Sequence, residues 1–148
     1  MQRTSESPSA RVHITFRFER DEEHLAPGCE SAIALVARSL TRTPRTVWVE
    51  GNTLQIEMGG LAERRARAVV EALVRAGVPR TLLVATDIVP NCAATVELFE
   101  REPKSGYLGI PGEDSGRLTI EGVSPDAMKP SGALPFSGEP PVTFEVAR

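Results

Sequence analysis

The stretch Arg45–Met58, RTVWVEGNTLQIEM, constrains this chain more than any other. Two short alternating apolar runs flank Gly51-Asn52, a dipeptide that predicts a two-residue β-hairpin turn. Such a turn sets Val49 opposite Leu54 and Val47 opposite Ile56, and sends Trp48 and Gln55 to the other face. One apolar and one mixed face predict a sheet covered on a single side. A fold built around this hairpin must supply a layer for the apolar face.

The flanking segments supply it. Arg11–Arg20 alternates, with Val12, Ile14, Phe16 and Phe18 on one side and His13, Thr15, Arg17 and Glu19 on the other, which predicts a strand. A charged turn, DEEHLAPG, leads through Pro27-Gly28 into Cys29–Leu40, whose apolar positions 29, 33, 36 and 40 make one helical face. Thr43-Pro44 ends that helix. After the Gly59-Gly60 break, Leu61–Ala76 is the strongest helical segment, with Ala62, Ala66, Val69, Leu73 and Ala76 in line. Glu71 and Arg75 stand at the favourable i,i+4 spacing, and Gly77 with Pro79 closes the helix. Arg80–Val89, RTLLVATDIV, reads as another strand, nearly continuous in apolar content and so interior or covered. The order β-α-β-β-α-β over residues 11–89 predicts an α+β, ferredoxin-like sandwich, a four-stranded antiparallel sheet with two helices on one face and its first and third strands central.

Residues 1–10 are polar and predict a flexible N-terminal tail. Residues 90–148 read as a Pro/Gly-rich, partly β extension that packs back on the domain. Within it Thr95–Glu100, TVELFE, reads as a strand paired back onto 81–88, against a competing helix over Cys92–Arg101 capped by Asn91. Arg117–Val123 and Val142–Val146 are further β-like pieces, and the latter is expected to return to a sheet edge and cover it.

Composition narrows the function classes. A hydrophobic content of 41% with 25% charged residues is that of a folded protein, not a disordered one. The net charge of −3 argues against a general nucleic-acid binder. There is no signal-peptide core and no apolar run long enough to span a membrane, so a cytoplasmic protein with no membrane partner is expected. Two cysteines, Cys29 and Cys92, make neither a disulfide scaffold nor a CxxC pair. His13, His24, Cys29 and Cys92 lack the spacing of a zinc site, and no metal or other cofactor is expected.

The segment HLAPGCESAIALVARSL followed by VWVEGNTLQIEM resembles in outline the heavy-metal-associated domains of copper carriers. That family places a CxxC pair before its first helix, where this chain has Cys29 alone and Ala26 three positions earlier. The resemblance implies the ferredoxin-like fold and not the metal. ACT-type regulatory domains share the topology and bind amino acids at a strand–helix loop, a part that Pro27 and Gly28 can play. RNA-recognition domains share it too, but the RNP1 pattern is absent, and Phe16 and Phe18 fall on the core side. A catalytic pair of Cys29 and His24 is opposed by the apolar spacing of Cys29 with Ile33 and Val36.

Trp48 is set on the face opposite Val47 and Val49, beside His13, Thr15, Arg17 and Gln55. That surface suits a binding partner, because Trp and Arg are enriched in hot spots; alternatively the extension folds over it. The resulting expectation is a non-catalytic cytosolic protein-binding module of inhibitor, immunity or adaptor type. Its partner is another protein or its own copy, met through Trp48, His13, Thr15, Arg17 and Gln55. The alternative is an ACT-like small-ligand sensor using Pro27 and Gly28 at a subunit interface.

Overall fold

The computed structural model describes residues 9–54, 57, 59–87, 93–102, 116–129 and 140–147. Within them the chain forms β1 (Ala10–Arg17), α1 (Glu30–Arg42), β2 (Val47–Gly51), α2 (Leu61–Arg75), β3 (Leu83–Asp87), β4 (Thr95–Phe99), β5 (Ile120–Val123) and β6 (Val142–Val146). The architecture is mixed α+β, a six-stranded sheet with two helices.

The sheet runs β3-β2-β4-β1-β5, with β6 also on β1. Strand β1 carries β6 along one edge. Along the other edge, β4 pairs with its C-terminal half (Thr15↔Glu97) and β5 with its N-terminal half (Val12↔Ile120). β2 lies between β3, parallel to it, and β4, antiparallel. The β2–α2–β3 segment is therefore a parallel βαβ unit, whose helix must cross the sheet to return the chain in the same direction.

Alternation decides which residues go inside. Val12, Ile14 and Phe16 of β1, Val47 and Val49 of β2, and Val96 and Leu98 of β4 are buried in one cluster with Ile33, Val36 and Leu40 of α1 and Val69 and Leu73 of α2. Both helices thus cover the same sheet face. α1 and α2 follow the apolar spacing read from the sequence, and α2 ends where Gly77, at φ 108, lets the Val78 N–H turn back to the Leu73 carbonyl.

The ferredoxin-like arrangement and its organising hairpin are not what the chain builds. Leu54 has left the sheet, and the Glu57 N–H donates to the Leu54 carbonyl in a turn. Gln55, Ile56 and Met58 lie outside the described residues. A hairpin turn of the expected kind needs positive φ at its central residues, yet neither Gly51 nor Asn52 has it. Gly51 serves a different need. α2 crosses so close to the end of β2 that a Cβ at position 51 would stand 1.8 Å from the Ala62 carbonyl oxygen. The expected pairing of TVELFE onto 81–88 is likewise replaced: β4 inserts between β2 and β1, and among the described strands β3 pairs with β2 alone. The ferredoxin-like fold that the heavy-metal-associated resemblance implied is therefore not the one formed.

Candidate functional site

Strands β1 and β2 end at the same pole of the sheet, where the β1–α1 loop, the turn after β2 and the first turns of α2 converge. Arg65, one turn into α2, points inward there and is fully buried. Its five N–H donors are all engaged. Nε donates to the Glu22 carbonyl at 2.8 Å, Nη1 to the Asn52 carbonyl at 3.1 Å and Glu57 Oε1 at 2.8 Å, and Nη2 to the Glu19 carbonyl at 3.1 Å and Glu57 Oε2 at 2.5 Å. The Phe18 ring lies 5.4 Å from the guanidinium carbon, adding a cation–π contact in a desolvated setting.

Glu57 completes the site from the other side. Both carboxylate oxygens take the Arg65 fork, and each takes one backbone N–H besides, from Leu54 and Asp21, at 2.7 Å. Asp21 reaches that position with φ 64, a left-handed conformation that costs a non-glycine residue energy. Burial alone raises the Glu57 pKa, but the hydrogen bonds from Arg65, Asp21 and Leu54, with the Arg65 charge, outweigh it and hold the group at about 2. The pair is an ionised, bidentate arginine–carboxylate fork closed off from water. At the rim Arg64 Nε meets Glu23 at 2.7 Å and His24 Nδ1 meets Glu22 at 2.8 Å, all partly or largely exposed.

The residues singled out from the sequence lie elsewhere. His13, Thr15, Arg17 and Trp48 share the sheet face opposite the helices and are all half-buried. His13 Nδ1 stands 3.1 Å from the Leu118 carbonyl, and Thr15 Oγ1 accepts from Arg117 Nη2 at 2.8 Å. Arg117 also binds Glu145 at 2.8 Å and stands 3.7 Å from Glu97. Trp48 is in register with Phe99 and Val84. Gln55 lies outside the described residues. Next to Trp48, Glu50 faces Glu97 in register and is buried; burial first, then the Glu97 charge, pushes its pKa up to about 7.

Pro27 and Gly28 form the turn into α1, where the Gly28 N–H is taken by Glu30 Oε1 at 3.0 Å. Cys29 is buried, and burial pushes its thiol pKa up to about 12, far from a nucleophile's range. His24 is turned outward to Glu22, not towards the thiol.

No protein-family model matches this chain, and no curated protein matches it. Solved structures do. The OmpA-like domain of FopA1 from Francisella tularensis superposes with a TM-score of 0.53 at 19% identity, over 64% of this chain and 75% of that one. An outer membrane protein from Borrelia burgdorferi gives 0.52 at 19%, over 62% and 88%. The C-terminal domain of Helicobacter pylori MotB gives 0.51 at 23%, over 57% and 81%.

The likeness is one of fold. It overturns the expectation of a cytosolic protein-binding module, and of the ACT-like sensor with its ligand at Pro27 and Gly28, because both were built on a ferredoxin-like sheet that the chain does not form. The cytoplasmic placement and the exclusion of any membrane-associated partner, read from the lack of a signal-peptide core and of a long apolar run, are overturned too, since the proteins sharing this fold include an outer membrane protein. Among the described residues no helix is long and apolar enough to cross a membrane.

Arg65 is not among the site residues singled out from the sequence. A signal was present. Leu61, Arg65, Val69 and Leu73 repeat at i,i+4, and an arginine inside an apolar stripe predicts a buried cation that needs a partner.

Proposed function

We propose that this chain is an OmpA-like domain of the bacterial envelope that holds peptidoglycan at the Arg65 pole, by a free carboxylate of the polymer's peptide stems. One observation carries the reading: a fully buried guanidinium already shaped around a carboxylate, with Glu57 in the place a ligand carboxylate would take. A planar fork of this kind selects carboxylates by geometry as well as charge. The fold likeness supports the setting, and the envelope polymer is rich in free carboxylates beside amines, which suits a rim carrying Asp21, Glu22 and Glu23 around the arginine. Glu57 sits in a turn rather than in a helix or strand, so exchange with a ligand asks only that turn to open.

Co-sedimentation with purified sacculi tests this. The wild-type chain is expected in the pellet, and a soluble stem peptide with a free carboxylate is expected to release it while the amidated peptide does not. Glu57→Gln, which replaces the resident carboxylate by a weaker neutral acceptor, is expected to tighten retention about tenfold at a temperature where it stays folded. A wild-type chain that stays in the supernatant, or release by acid and amide alike, would overturn the reading.

A further inference from the structure

The opposite pole holds a second concentration of arginines. β1 starts there, β4 ends there, α1 ends there and β2 begins there, as the antiparallel registers require. Between these ends lies a cleft of about 490 Å³ whose walls carry Arg11, Arg38, Arg42 and Arg45 against Glu100 and Glu121. Four cations facing two carboxylates is a local positive excess on a chain whose net charge is −3.

The carboxylates do not use up that excess. Arg11 stands 3.8 Å from Glu121 and Arg45 3.8 Å from Glu100, and both members of the first pair are exposed, so the attractions are weak. Arg45 is otherwise spent on the helix end, donating to the Ser39 and Thr43 carbonyls and to Ser39 Oγ. The side chains of Arg38 and Arg42 have no hydrogen bond or ion pair among the described residues. They stand one turn apart on the same side of α1, a like-charge spacing that destabilises a helix. The helix dipole rewards a cation in the last turn, which accounts for Arg42. It does not account for Arg38, nor for Arg11 arriving from β1 at the same cleft.

The geometry points to a phosphate-binding site, with Arg38 and Arg42 supplying paired forks, Arg11 the opposite wall, and Arg45 holding the cleft's shape. A phosphate monoester carries close to two charges at neutral pH and three acceptor oxygens, which matches several converging guanidiniums better than one carboxylate does. Hydroxyls of Ser39 and Thr119 line the same cleft and add neutral donors. The site stands apart from the wall reading, since it uses none of the residues around Arg65.

Two probes separate the sources of such a phosphate. In two-dimensional NMR, inorganic pyrophosphate is expected to shift the Arg38 and Arg42 side-chain N–H signals. In flotation assays, vesicles of phosphatidic acid, whose headgroup is a phosphate monoester, in phosphatidylcholine are compared with phosphatidylcholine alone. The double variant Arg38→Gln/Arg42→Gln, at exposed positions and expected to keep the wild-type melting temperature, should lower affinity about tenfold or more for whichever probe binds. Flotation lost in the variant assigns the site to a lipid headgroup. Pyrophosphate shifts without flotation assign it to a soluble phosphate compound. Equal binding by wild type and variant, or no response to either probe, would overturn the proposal.

Discussion

Arg65 and Glu57 each satisfy the other's buried charge, and neither is stable in place without its partner. Removing one leaves an uncompensated ion, so Arg65→Ala is expected to cost about 3–5 kcal/mol in urea unfolding. The same pair governs acid behaviour. Glu57 is held at about 2, below its ordinary value near 4.5. Its contribution is therefore complete above pH 4.5 and lost as pH falls towards 2. Glu50 has the reverse sign: a carboxyl pushed up to about 7 favours the folded state while protonated and costs stability as pH rises from 4.5 through 7. Glu50→Gln is expected to gain about 1–3 kcal/mol at pH 8 and almost nothing at pH 4, read from paired denaturation curves. An equal effect at both pH values would show that Glu50 is not held protonated against Glu97. The sequence made neither group conspicuous. Glu50 alternates with apolar neighbours as any outward strand residue does, and the proximity of Glu97 depends on a strand pairing that no local pattern encodes.

Helices were the most legible elements, because a 3.6-residue apolar period names both the helix and the side it buries. α1 and α2 begin and end within two residues of the segments read from the sequence. Strand partners were less legible. Gly51-Asn52 carries the composition of a tight turn, yet the glycine answers to a helix backbone crossing beside it, and composition does not distinguish a turn glycine from a close-approach glycine. Two substitutions separate these roles. Gly51→Ala drives a Cβ into the Ala62 carbonyl, which moves only if α2 moves, and is expected to cost about 3 kcal/mol or more. Gly77→Ala has open space around it but a φ of 108, and is expected to cost about 1–2 kcal/mol. Thermal unfolding of the two variants checks the order, and a smaller loss at position 51 than at 77 would contradict the close approach.

Across the whole molecule, the first strand is the common partner of the last three, and the pairs it makes with β5 and β6 span more than a hundred positions in the chain. Such pairings are set by the sheet as a whole, which is why the alternating runs after Pro90 were visible as strands while their neighbours were not. Amide exchange should follow this layout, with β1, β2 and β4, bordered on both sides, protected longest, and β3 and β6 exchanging earlier. The candidate sites divide along the same axis, Arg65 where β1 ends and the arginine cleft where it begins. β6 runs back along β1 until the Ala147 N–H meets the Arg11 carbonyl, so the two strands leave the sheet side by side at the cleft pole. The consequence is mechanical. Force applied through both of those strand ends would unzip β1 from β6 one hydrogen bond at a time. Force between either end and a load gripped at Arg65 would instead run along the length of β1 and strain its ladders in shear, all together, the direction in which a sheet yields last.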